Sequence, residues 1–207
     1  MGALVRARGV PGLSVAPLLQ LDGCTKRFGG LIANRDISLT IEPGEIVGLI
    51  GPNGAGKTTL FHCISGHLHP DAGRILFAGA DVTQAPPHRM CARGVARTWQ
   101  VVRAFGRMSV IDNVMCGALK RTNRTAVARA RALELLEFTG LADKHDVPGA
   151  SLTLADKKRL EITRALATGP RLLLLDEAMS GLTPAETTAA VALVRRIHAE
   201  LGLTICV

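Results

Sequence analysis

Two stretches of this sequence combine residue types that can handle phosphate. Gly51-Pro52-Asn53-Gly54-Ala55-Gly56-Lys57-Thr58 has the spacing G-x-x-x-x-G-K-[ST]. Glycines let such a loop wrap closely, so its backbone N–H groups point inward as an anion nest. A helix starting directly after the loop adds the positive end of its dipole. In that setting Lys57 bridges the β- and γ-phosphates of a nucleoside triphosphate, and the Thr58 hydroxyl ligates Mg²⁺. Gly51, Pro52, Asn53, Gly54, Ala55, Gly56, Lys57, Thr58 and Thr59 are therefore candidate phosphate-binding residues. The second stretch is Asp176-Glu177, directly after four leucines at 172–175. Asp176 is placed to hold Mg²⁺ opposite Thr58, and Glu177 to polarise an attacking water as general base. Alone, such a pair is often a strand end meeting solvent; behind a phosphate loop in the same chain it reads as chemistry.

The surrounding elements must bring these stretches together. Leu18 to Lys26 alternates loosely as a first strand, and Ile37 to Ile41 shows the half-buried strand pattern. A turn at Glu42-Pro43-Gly44-Glu45 leads into Ile46 to Ile50, a short apolar run expected of a strand buried on both faces. Helical spacing follows from Lys57 to Ser65, and Pro70 to Gly73 turns the chain into a strand over Arg74 to Phe77. The character changes at Pro86-Pro87. From Gln84 to Arg131 there are ten Lys/Arg and one acid, a net +9. Helical patterns over Val110–Leu119 and Ala126–Phe138 suggest a helical subdomain, about 86–155, inserted in an α/β core. The core resumes from Asp156 with a helix marked by Leu160, Ile162, Leu166 and Ala167, then a strand over Leu172–Leu175. Thr183-Pro184-Ala185-Glu186 opens the next helix, with Thr as cap, Pro first and Glu three after the cap. That helix runs to about Leu201, and Thr204 to Val207 reads as a last strand. Residues 1–17, broken by Pro11, Gly12 and Pro17, read as a flexible extension.

Composition narrows the classes. A chain of 207 residues with 47% hydrophobic and 20% charged residues can bury a core, which excludes wholesale disorder. No apolar run approaches the roughly 18–20 residues that span a bilayer. The net charge of +8 favours an anionic partner or surface. Cys24, Cys63, Cys91, Cys116 and Cys206 lie far apart and read as reduced thiols, not as a disulfide frame or zinc site. Aromatics are 3% and tyrosine is absent, which argues against a stacking platform for single-stranded nucleic acid. No Asn-Lys-x-Asp guanine motif occurs, which argues against a GTPase.

From about Leu18 to Val207 the chain resembles the ATP-binding subunit of an ATP-binding cassette (ABC) transporter. The resemblance implies an α/β P-loop NTPase: an ABC ATPase core sheet, an inserted α-helical subdomain and an antiparallel β portion near the N-terminus. It implies ATP and Mg²⁺ as cofactors. Phe28, in Lys26-Arg27-Phe28-Gly29-Gly30, falls where the family has the aromatic that stacks on adenine. Gln100, in Ala96-Arg97-Thr98-Trp99-Gln100, falls at the Q-loop glutamine, which senses the γ-phosphate and metal and joins the core to the helical subdomain. Asp176 and Glu177 match the Walker B aspartate and the catalytic glutamate. Ser180-Gly181-Leu182-Thr183 matches the D-loop, which contacts the partner subunit. The implied catalytic residues are Glu177 and Gln100, and the implied metal-binding residues are Thr58, Gln100 and Asp176. The Lys-Arg-Phe-Gly-Gly-Leu opening and Arg159 to Thr168 are similar to branched-chain amino acid importers. The implied function is ATP hydrolysis coupled to such import, at the cytoplasmic face of the plasma (inner) membrane. The implied partners are a second ABC ATPase subunit, transmembrane permease subunits and, indirectly, a solute-binding protein, with no nucleic acid. The alternatives are a degenerate, non-catalytic regulatory subunit and a soluble ABC ATPase acting on nucleic acid or ribosomes.

Two departures stand out. The family signature Leu-Ser-Gly-Gly-Gln is Leu152-Thr153-Leu154-Ala155-Asp156 here. Thr153 keeps a hydroxyl for the partner's γ-phosphate. Ala155 puts a Cβ where glycine allows close approach and positive φ. Asp156 should repel a polyphosphate unless cations such as Lys157 and Lys158 offset it. Second, the family's switch histidine follows the last strand, and none appears by Val207; His198 lies in the preceding helix. The chain therefore reads as cut short, expected to bind Mg·ATP and hydrolyse it poorly. The basic span reads either as a solvated face or as a dock for a membrane subunit's coupling helix, lined by Phe105, Met108, Val110 and Ile111 beside Arg103 and Arg107.

Overall fold

In the computed structural model, residues 3–7, 16–100, 102 and 104–207 are described. The chain forms two sheets. One is antiparallel and joins β2 (Leu19–Phe28), β3 (Leu31–Ile41), β5 (Ala72–Phe77) and β6 (Ala80–Asp81) in the order β3-β2-β5-β6. The other joins β1 (Ala3–Ala7), β4 (Ile46–Ile50), β7 (Val95–Arg97), β8 (Leu172–Leu174) and β9 (Thr204–Cys206) in the order β1-β4-β9-β8-β7. Strands β4, β9, β8 and β7 run parallel, and β1 lies antiparallel on the β4 edge. The stretch 3–7 within the extension read as flexible is thus a paired strand, covering an edge that would otherwise present unpaired backbone groups.

The parallel strands are short apolar runs because both their faces are covered. In β8, Leu172 and Leu174 pack into the cluster around β2, β5 and α1 (Lys57–Ile64), which includes Leu19, Phe61 and Phe77. Leu173 and the following Leu175 pack on the opposite side with Leu160, Leu166 and Ile197. This alternation is the two-residue period of a strand.

The second cluster continues into the helices α3 (Val110–Ala118), α4 (Thr125–Thr139) and α5 (Leu154–Ala167). Helices α3 and α5 approach closely at Gly117, where a Cβ would lie 2.4 Å from the Arg164 carbonyl oxygen. Helix α2 (Pro87–Arg93) leads directly into β7, which hydrogen-bonds to β8 in the parallel sheet. The span 86–155 read as one helical insertion therefore contains a core strand, β7, directly after α2. Val95-Ala96-Arg97 is too short to show periodicity, so its sequence did not reveal it. Helix α6 (Pro184–Leu201) starts as expected: Thr183 and Glu186 form a capping box with Pro at the first turn.

Candidate functional site

The phosphate loop sits between β4 and α1. Gly56 is the N-cap of α1 at φ +87 and offers no side-chain cap, so the helix N-terminus stays open to an anion. A Cβ at Gly56 would lie 2.3 Å from the Ala33 carbonyl oxygen and 2.6 Å from Asn34 Nδ2. Only glycine fits there, because β3 backs directly onto the loop. Asn34 Nδ2 donates to the Gly56 carbonyl at 3.1 Å, and its Oδ1 is buried without a hydrogen-bond partner. Lys57 Nζ donates to the carbonyls of Gly51 at 2.6 Å and Pro52 at 2.9 Å, which curls it over the loop.

A cleft of about 520 Å³ opens above this loop. It is lined by Phe28, Leu31, residues 53–59, Gln100 and Glu177. Phe28 is 46% exposed at the end of β2, with Lys26 Nζ 5.7 Å from its ring centroid. An accessible ring at the mouth of a phosphate-binding cleft is suited to stack on a base. The structure thus gathers Phe28, Asn53, Gly54, Ala55, Gly56, Lys57, Thr58, Thr59, Gln100 and Glu177 around one space.

Asp176 lies just beneath, 2% exposed. Its Oδ1 accepts the Thr58 hydroxyl at 3.2 Å, and its backbone N–H donates to Thr98 Oγ1 at 3.2 Å. Its Oδ2 accepts from Arg97 Nη2 at 3.0 Å, with both side chains almost fully buried. Burial pushes the Asp176 carboxyl above the ordinary aspartate value, opposed by the Arg97 charge and the Thr58 hydrogen bond. Thr58 Oγ1 and Asp176 Oδ1 are adjacent hard oxygens, the donor type Mg²⁺ takes together with phosphate oxygens and water. Gln100, the third residue expected at the metal, instead donates from Nε2 to Glu177 Oε2 at 3.0 Å. Glu177 has φ +47, one of three non-glycine positive values among the described residues. Such a conformation costs about 1–3 kcal/mol and is found mainly at functional sites.

Thr153 is not in this cleft. It caps α5, accepting the Asp156 N–H at 3.2 Å, and is exposed to solvent. The neighbouring residues differ from expectation. Ala155 lies inside the α5 helix, so no positive φ is needed there. Asp156 is buried and does not face outward. Lys144 lies at 2.7 Å and Arg159 at 3.5 Å, so these cations, and not Lys157 or Lys158, offset it. Burial alone would raise the Asp156 pKa, but hydrogen bonds from Lys144 and Thr153 and the Lys144 and Arg159 charges hold it below the ordinary value.

The proposed coupling-helix groove also changes. Val110 and Ile111 are 0% and 1% exposed on the core face of α3, so they cannot line a surface. Phe105 remains half exposed under the Arg164 guanidinium, 5.0 Å from its ring, and Arg103 lies outside the described residues. Not all of the basic span is surface charge: Arg97 is the buried partner of Asp176. His198 Nδ1 pairs with the Leu203 carbonyl at 3.1 Å, consistent with a helix residue outside the site. Sequence reasoning missed Arg97 and Asn34. Neither carries a local signal, because each acts on a partner distant in sequence: Arg97 on Asp176 and Asn34 on Gly56.

A phosphate loop between a buried parallel strand and a helix, with a metal-competent aspartate ending another strand of the same sheet, defines a P-loop nucleotide-binding protein. A family model described as ABC transporter matches residues 34–180, and the chain belongs to that family. The ATP-binding protein BraF for high-affinity branched-chain amino acid transport in Pseudomonas aeruginosa is 35% identical, covering 91% of this chain and 80% of its own. LivG of Escherichia coli K12, with the same description, is 39% identical over the same shares. The lipopolysaccharide export system ATP-binding protein LptB of Escherichia coli K12 is 41% identical over 77% of this chain and 66% of its own. Among solved structures, the ADP conformation of MJ1267, an ATP-binding cassette of an ABC transporter, superposes with a TM-score of 0.80 at 27% identity. That match covers 93% of this chain and 80% of the other.

Proposed function

We propose that this chain binds and hydrolyses Mg·ATP to drive import of branched-chain amino acids, paired with a second ATPase subunit and permease subunits at the cytoplasmic face of the membrane. The observation that carries the reading is the convergence of Phe28, the phosphate loop, Gln100 and Glu177 on one cleft, with the Thr58–Asp176 oxygen pair at its floor. In this reading Phe28 stacks on adenine, the loop amides and Lys57 hold the phosphates, and Thr58 and Asp176 hold Mg²⁺. A Mg²⁺ held by Thr58 and Asp176 would supply charge neutralisation for the transferring phosphoryl group. Glu177 draws the proton of the attacking water, and Gln100 orients Glu177. Thr153 of a second subunit completes the phosphate contacts from the opposite side. The names of BraF and LivG support branched-chain amino acids as solute. Among the described residues no helix is long and apolar enough to cross a membrane, so the permease subunits would supply the path.

Titration with a fluorescent ATP analogue tests the binding step. Lys57→Ala is expected to weaken Mg·ATP binding at least tenfold; unchanged affinity overturns the assignment. Reconstitution with the permease subunits and solute-binding protein in vesicles tests direction and solute. ATP-dependent leucine uptake is expected, whereas outward lipid transport would favour the LptB-like reading.

A further inference from the structure

Lys158 lies on α5, five residues beyond Thr153. It is 7% exposed, and its Nζ donates to the Glu177 backbone carbonyl at 3.0 Å. A buried ammonium is costly unless its donors are used and opposite charge is near. Burial lowers the Lys158 pKa, and the Glu161 and Glu177 carboxylates oppose that shift. The same Glu177 carbonyl also accepts the Ser180 N–H at 3.0 Å. Glu177 is the residue whose backbone adopts φ +47, and its carboxylate is held separately by Gln100. Lys158 itself does not line the nucleotide cleft.

We propose that Lys158 is a positioning residue for Glu177, holding the carbonyl so that the left-handed turn aims the carboxylate into the cleft. The inference rests on the reading of Glu177 as the base that acts on water, and it adds a route between sites. Helix α5 begins at Thr153, which in an assembled pair meets the nucleotide of the second subunit. Lys158 lies about 7.5 Å further along the same helix axis. A shift of α5 on engaging one nucleotide is therefore carried to the base serving the other.

The test compares Lys158→Met, Lys158→Arg and Lys157→Met in the full chain. Mg·ATP affinity is read with the fluorescent analogue, and hydrolysis by single turnover with protein in excess. Lys158→Met should bind within twofold of wild type and hydrolyse at least tenfold more slowly. Lys158→Arg, which keeps a donor, should recover most of the rate, and Lys157→Met should change neither. Amide hydrogen exchange over residues 174–182 gives a second readout: faster in Lys158→Met, restored in Lys158→Arg. Lys158→Gln, too short to reach, replaces the Met variant if that one unfolds. Wild-type turnover and wild-type exchange in the Met or Gln variant overturn the inference. Failure of the wild-type chain to bind Mg·ATP overturns the proposed function instead, and the exchange data still decide whether Lys158 fixes the Glu177 turn.

Discussion

Arg97→Met probes the electrostatics under the nucleotide cleft. The Arg97–Asp176 pair is 3.0 Å apart, with side chains 5% and 3% exposed. Removing one member of a buried pair costs about 3–5 kcal/mol, because the other charge is left uncompensated. Arg97 also donates to Thr98 O at 3.2 Å and Ser65 Oγ at 3.3 Å, and it sits 4.3 Å from the Trp99 ring centroid. Methionine keeps part of that ring contact but none of the hydrogen bonds. Against a domain stability of about 5–15 kcal/mol, the variant still folds but loses a large share. The loss depends on pH. Burial already raises the Asp176 pKa, and the Arg97 charge is the main influence lowering it. A carboxyl whose folded pKa lies above its unfolded value destabilises the fold at high pH, and this penalty vanishes below the unfolded value of about 4. Without Arg97 the folded value climbs further, so the cost is larger at pH 7 than at pH 5. Urea unfolding followed by circular dichroism, without Mg²⁺, measures both. The double variant Arg97→Met/Asp176→Leu should recover most of the loss, since no buried charge remains. A loss below about 1 kcal/mol at pH 7, or one unchanged at pH 5, refutes the argument that the guanidinium compensates the carboxylate.

Three further outcomes follow from the geometry. Gly56→Ala forces a Cβ to within 2.3 Å of the Ala33 carbonyl at φ +87, and the left-handed backbone alone costs alanine about 1–2 kcal/mol; Mg·ATP affinity in the same titration should fall tenfold or more. Asp156→Asn loses the ion pairs to Lys144 and Arg159 and should cost about 1.5–3 kcal/mol in urea at pH 7. Because the Asp156 pKa is depressed in the fold, that wild-type advantage is present above about pH 4 and disappears as pH falls through the lower folded value. Burial pushes the Cys206 thiol up to about 12, while Cys116 is exposed, so a thiol reagent at pH 8 should label Cys116 in the native protein and Cys206 only after unfolding.

Much of the site was legible because its parts are contiguous. The phosphate loop is one run of eight residues whose glycines and lysine each have a local reason. Strand β4 and helix α6 were readable for the same cause: an apolar run in one case, a Thr-Pro-Ala-Glu cap in the other. The errors fall where the reason is remote. Asp156 looked like a repulsive carboxylate because its partner Lys144 lies twelve residues back, beyond a turn. Val110 and Ile111 looked like groove residues because a helical pattern shows that a face is apolar, not what covers it. Ala155 looked strained only by analogy with glycine.

Residue order by itself determined the anion-binding loop, the metal and base candidates and the main helices, because each depends on stereochemistry within a few bonds. Tertiary structure alone decided which cation meets Asp176, what backs Gly56 and what holds the Glu177 carbonyl. Arg97 reaches Asp176 across 79 positions because β7 lies beside β8 in the parallel sheet. Asn34 reaches Gly56 because β3 lies against the loop. Lys158 reaches Glu177 because α5 packs over the end of β8. Such pairings are set by how sheets and helices stack, and burial then makes each one count, since a desolvated charge or amide must find its partner within the fold.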